Sequence, residues 1–200
     1  MEMISDREHI LLAVIDRLRI IRATDAAWLA GYTDYTYCRK CLRKLCDMGL
    51  LQICRDSAGS NCYYLSGRGL AVLGKQTSHT YEVSATTHHA LVVGRVCAWL
   101  RRTEGASPGE LLTDSVLRSK GDKQRHRPDI VFRGHAYEIE LNHKPLSLLE
   151  KNIRDNNSYQ QQVWITPDNR PGIARNLNSC AQRVGVRIQT IPLVEIEKQV

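Results

Sequence analysis

The stretch His126–Lys144, HRPDIVFRGHAYEIELNHK, decides how the second half of this chain is read. Apolar and polar residues alternate on either side of Gly134, the pattern of two short strands joined by a turn. With Gly134-His135 at the turn, Arg133 faces Ala136, Val131 faces Glu138 and Asp129 faces Glu140. Directly opposed residues share one face of a sheet. One face then carries Ile130, Phe132, Tyr137, Ile139 and Leu141, and the other Asp129, Val131, Glu138, Glu140 and Asn142. A slip of one residue would set Asp129 against Ile139 and scramble both faces, so the pattern favours this parity.

The apolar face has to pack on a core, which leaves the carboxylates gathered on the opposite side. Like charges so close need compensation by lysine or arginine, by protonation, or by a divalent cation. An all-oxygen donor set suits Mg2+ or Mn2+ better than zinc. The alternative is an exposed acidic face on an edge strand, neutralised by Arg127, Arg133 and solvent. His126, His135 and His143 flank the hairpin at turns or strand ends, where solvent-facing positions are expected; as contacts or bases they are secondary candidates.

Working outward, strand-like runs at 128–133, 136–142, 162–166 and 186–193 alternate with helical segments at 146–157 and 171–184. The second helix has Ile173, Leu177, Ala181 and Val184 in line. A helix over His88–Arg102, burying Leu91, Val92, Val96, Trp99 and Leu100, is expected to open this half. The order α-β-β-α-β-α-β predicts a mixed sheet with helices packed against it. The polar stretch 75–86, KQTSHTYEVSAT, is read as the boundary before it, with a linker over 76–86.

The first 75 residues have another pattern. A helical stripe of Leu11, Val14, Ile15, Leu18 and Ile21 is followed by a short helix capped at Thr24 or Asp25. After a turn at Gly31–Asp34, a third helix runs from Asp34 to about Met48 and stops at Gly49. Its apolar stripe is Cys38, Cys41, Leu42, Leu45 and Met48. Arg39, Lys40, Arg43 and Lys44 hold the remaining surface, with Thr36 near the start. Two strand-like runs then flank Asp56–Asn61, with Arg55 near the tip, and a short helix starts at Ser66. Helix, short helix, turn, basic helix and hairpin are the order of a winged helix-turn-helix, whose third helix meets DNA.

The 200-residue chain carries a formal net charge of +7, which favours a polyanionic partner. It has no apolar run long enough to span a membrane and no signal-peptide pattern, so a cytoplasmic, reducing setting is expected. Seven cysteines include a single C-x-x-C, Cys38 and Cys41, whose helical spacing is read as core packing. Phosphate loops of P-loop spacing are absent, which leaves ATP hydrolysis without support.

Pro128-Asp129 followed by the acidic strand Glu138-x-Glu140 resembles the PD-(D/E)xK nuclease core. Behind a winged helix, HRPDIVF and YEIELNHK are similar to the replication-relaxation family and to MobC-type mobilisation proteins; the helix begun by HHALVVGRVCAWLRR fits the former as well. The resemblance implies an α+β protein: a winged helix over 1–75 and a nuclease-like domain over 87–200. It also implies a DNA-binding protein of a mobile element that nicks or cleaves near a replication or transfer origin. Asp129, Glu138 and Glu140 would hold Mg2+ or Mn2+, with a lysine near the attacking water. The lysine position falls on Glu140 or Asn142, depending on which glutamate is the motif's acid; Lys144 shares the strand parity but precedes Pro145, which restricts it. The alternative is a noncatalytic regulator or accessory factor with a degenerate nuclease domain. Other replication or mobilisation proteins are the further partners implied.

Overall fold

The computed structural model describes residues 3–76, 81–119 and 126–200. The protein is a mixed α+β structure of two compact units, one comprising Met1–Pro108 with Val200 and the other Gly109–Gln199.

In the first unit, α1 (Asp6–Leu18) opens on a reciprocal cap: Ser5 accepts from the Glu8 backbone while Glu8 takes the Ser5 N–H. A three-residue strand, β1 (Ile20–Arg22), follows directly, and α2 spans Ala23–Leu29. Asp34 caps α3 (Tyr35–Asp47) by accepting the Thr36 N–H at 2.7 Å, and Gly49 ends the helix region with φ of 70°. Strands β2 (Leu51–Arg55) and β3 (Asn61–Leu65) form the hairpin, and β3 lies between β1 and β2 in an antiparallel sheet. Ser66 caps α4 (Gly67–Val72).

Two expectations change here. Residues 20–22 form a strand paired with β3, not the end of the first helix. The cap of α2 falls at Arg22, while Asp25 is fully buried and pairs with Arg95 at 3.0 Å.

Arg95 belongs to α5 (Thr87–Glu104), the helix expected to begin the second half. It lies in the first unit, so the division falls at Pro108/Gly109 instead of within 76–86. Residues 77–80 of the expected linker are outside the described residues. Beyond them, Tyr81 packs edge-on against Tyr64 at 5.7 Å and joins a cluster of Ile20, Cys62 and Leu91. An amphipathic helix reveals that it needs a core, not which core it will cover.

The second unit holds a five-stranded sheet, β4 (Leu112–Thr113), β5 (Ile130–Phe132), β6 (His135–Ile139), β7 (Gln161–Thr166) and β8 (Gln189–Pro192), in that spatial order. Strands β4, β5 and β6 are antiparallel neighbours; β6, β7 and β8 run parallel. The connections hold α6 (Asp114–Ser119), α7 (Leu146–Asp155) and α8 (Pro171–Val184), and α9 (Leu193–Glu197) closes the unit. Leu149 and Ile153 of α7 meet Ile173 and Leu177 of α8 over Trp164 of β7.

The β5–β6 hairpin keeps the expected faces but not the expected register. Phe132 pairs with His135 and Val131 with Ala136, so Arg133 and Gly134 form the turn. Both have positive φ, 48° and 79°, as a type I′ turn requires. The shift is two residues, which preserves parity and moves Asp129 from opposite Glu140 towards Glu138.

Candidate functional site

Strand β6 is central in its sheet, and this changes the setting of its carboxylates. Glu138 is opposite Trp164 of β7, on the face that α7 and α8 cover. Glu138 and Glu140 are 5% and 2% exposed, which overturns the exposed acidic edge strand and the expectation that only the apolar face is buried. Ile130, Phe132, Tyr137 and Ile139 on the other face are buried too. Arg127 pairs with Asp114 at 2.8 Å, and Arg133 with Glu110 at 3.9 Å.

Each carboxylate has its own hydrogen-bond or ion-pair partner. Glu138 Oε1 receives Asn156 Nδ2 at 2.6 Å and meets His126 Nε2 at the same distance. Asp129 Oδ2 accepts the Ile139 N–H at 2.8 Å, which ties the start of β5 to the end of β6. Glu140 forms an ion pair with Lys144 at 2.7 Å. Lys144 therefore reaches back to the strand despite Pro145, because its long stem spans the gap.

The electrostatics follow from burial. Desolvation pushes the Glu138 carboxyl above its ordinary range; the His126 bond opposes this, and the Asp129 charge adds to it. Burial likewise raises Glu140, against the pull of Lys144. For His126, burial favours the neutral ring, but the bond to Glu138 and the charges of Glu138 and Asp129 outweigh it and raise the pKa. His126 is thus not solvent-directed as expected. Asn156, fully buried one residue beyond α7, is a member of the site that sequence patterning missed. A single polar residue at a helix end carries no signal until the fold brings it beneath the strand.

Among the described residues, no group of three or more His, Cys, Asp or Glu side chains is placed to hold a metal ion. Glu138 already has its Oε1 engaged by His126 and Asn156. Asp129 and Glu140 do fit as hard oxygen donors for Mg2+ or Mn2+: Glu140 is buried against one partly exposed ammonium, a counter-charge that a cation can replace.

The first unit presents a different surface. Thr36, Arg39, Lys40 and Arg43 of α3 are exposed and line a groove of about 440 Å3, whose other wall includes Ile53 and Asn61 of the hairpin. Arg55 is exposed at the last pair of the hairpin, opposite Asn61. The tip is stiffened by Asp56, which accepts from Ala58 and Ser60 backbone N–H groups and from Arg22 at 2.8 Å. Lys44 stands apart from its neighbours: it is drawn to Glu8 at 3.0 Å, bracing α3 against α1.

The C-x-x-C pair faces inward. Cys38 and Cys41 are buried, and burial pushes the Cys38 thiol up to about 12, which suits an apolar role. No helix among the described residues is long and apolar enough to cross a membrane. No family model matches this chain, and no curated protein matches it.

Proposed function

We propose that this chain is a DNA-binding protein of a mobile genetic element, whose first unit acts as a winged helix and whose second acts on the phosphodiester backbone as a PD-(D/E)xK-type nuclease. The observation that carries the binding half is the groove between α3 and the hairpin, walled by Thr36, Arg39, Lys40 and Arg43. A helix with one apolar face buried and its guanidinium and ammonium groups outward is shaped for the major groove, and Arg55 lies where a wing meets backbone phosphates. Fluorescence anisotropy with duplex DNA across a salt series tests it. The triple variant Arg39→Ala, Lys40→Ala, Arg43→Ala should bind far more weakly, with a salt slope shallower by about 1 for each phosphate no longer neutralised. Unchanged binding would remove α3 from the interface.

For the second unit, Asp129 and Glu140 would hold Mg2+ or Mn2+, and such an ion, when bound, polarises the phosphate and acidifies water. Lys144 would stand beside Glu140 to meet developing negative charge on the phosphate, and Glu138 would keep His126 and Asn156 in place beneath the strand. Relaxation of a supercoiled plasmid carrying the cognate site, with several divalent ions, is the measurement. Asp129→Asn should abolish nicking and leave DNA affinity intact.

A second reading follows from the hydrogen bonds at Glu138 and the absence of a three-residue cage among the described residues. In it, the second unit is a noncatalytic scaffold for DNA or for replication and mobilisation proteins. No nicking with any ion, together with full biological activity of Asp129→Ala and Glu140→Ala, would establish it.

A further inference from the structure

The first unit has a second, larger cavity of about 790 Å3 beside the start of α3, lined by Trp28, Thr33, Tyr35, Arg101 and Arg102 among others. Its aromatic walls are open to solvent: Trp28 is 39% and Tyr35 43% exposed. Arg102, also exposed, lies over the Trp28 ring with its guanidinium carbon 5.0 Å from the centroid. Arg101 is fixed by donating to the Trp28 carbonyl at 2.9 Å and to the Ala106 carbonyl at 3.0 Å. Gly31, in the left-handed region with φ of 74°, turns the chain directly beside it: a Cβ there would come within 3.7 Å of Arg101 Nη2.

Flat, exposed rings next to held guanidinium groups match a ligand that is itself flat at one end and anionic at the other. Base stacking on aromatics with arginine at the phosphate is the common chemistry of single-stranded nucleic-acid sites. The volume lies within the range of sites that enclose a small molecule. Tyr35 also joins the cavity to the groove, because its ring is the partner of Arg39 at 5.8 Å.

From this juxtaposition we infer that the cavity takes an unpaired nucleotide of single-stranded DNA, its base on Trp28 and Tyr35 and its phosphate on Arg102 and Arg101. The inference deepens the DNA-binding reading and rests on it for the continuity with α3. The protein then prefers DNA with an unpaired segment beside the duplex over fully paired DNA. Helix α5, which supplies both arginines, is part of the DNA-binding surface.

A short thymidylate oligonucleotide titrated into the full chain is the probe. Of the three tryptophans, Trp28 lines the cavity, the half-buried Trp99 does not, and Trp164 is 1% exposed, so stacking should quench part of the fluorescence. The quenching should vanish in Trp28→Leu. In anisotropy with labelled oligonucleotide, Arg102→Gln, a change at an exposed side chain, should weaken binding about tenfold, with far-UV circular dichroism unchanged. Duplex affinity of Arg102→Gln should change much less than affinity for a duplex with an unpaired segment. Oligonucleotide binding that leaves Trp28 unquenched, or that Arg102→Gln does not weaken, overturns the inference while the winged-helix reading stands. Quenching by thymidylate with no duplex binding at α3 overturns the winged-helix reading and leaves the cavity assignment in place.

Discussion

Both units bury carboxylates, but they differ in which charges they turn outward. In the first, the cations of α3 and the hairpin lie outside: Arg39, Lys40, Arg43 and Arg55 are exposed, and the fully buried Asp25 has Arg95 as its counter-ion. In the second, acidic side chains lie inside, with Glu138 and Glu140 almost wholly buried on a central strand. A solvated cation keeps its full charge and attracts phosphate at long range. A buried carboxylate is held by named partners, and its proton affinity becomes a property of the fold. The first arrangement suits recognition and the second suits chemistry or rigid scaffolding.

The contrast can be broken most severely at the ion pair in the first unit. Asp25→Ala leaves the Arg95 guanidinium, only 14% exposed, without its carboxylate, and should cost about 3 kcal/mol in urea denaturation. A cost below about 1 kcal/mol would show that Arg95 escapes to solvent and that the pair contributes little to holding α5 against α2.

The next test falls on the second unit. Glu138→Ala strands the Asn156 amide and the His126 ring and should cost about 2 kcal/mol, with Glu138→Gln milder because an amide oxygen still accepts from Asn156.

A pH series sharpens the same point. Glu138 and His126 are both raised above their ordinary values of 4.5 and 6.5 in the folded protein. The folded state therefore holds more protons than the unfolded chain over the interval from those values up to the raised ones. Stability then falls as pH rises through that interval, and the His126 contribution is fully present only below its unfolded value. Unfolding midpoints measured between roughly pH 5 and roughly pH 8 should decline with pH, and Glu138→Gln should flatten the decline. A midpoint that rises with pH would contradict the assignment.

The smallest effect is expected at Lys44. Its partly exposed pair with Glu8 is worth under about 1 kcal/mol. Lys44→Ala should weaken duplex affinity less than Arg39→Ala does. Equal losses would place Lys44 among the proposed DNA contacts of α3.

Periodicity carried much of this structure. The stripe of Cys38, Cys41, Leu42 and Leu45 fixed α3 and, by exclusion, its outward cations; the helix starts at Asp34 and Ser66 were legible too, and in the structure both side chains accept backbone N–H groups. The β5–β6 faces were legible because parity survives a two-residue slip. The register was not, since Arg133 is a rare residue at positive φ and the sequence offered Gly134-His135 as readily. The short strands β1 and β4 and the short helices α6 and α9 left no periodic run to detect.

By itself, then, the sequence determined which residues share a helix face or a strand face, because those follow from local geometry at 3.6 and 2 residues per repeat. Only the tertiary structure decided what covers each face. It assigned α5 to the first unit through Arg95 and Asp25, and drew Lys44 back to Glu8. It closed α7 and α8 over the Glu138 face, turning an acidic strand into a buried site with His126 and Asn156 as partners. Such outcomes depend on contacts between residues far apart in the chain, which no local repeat encodes.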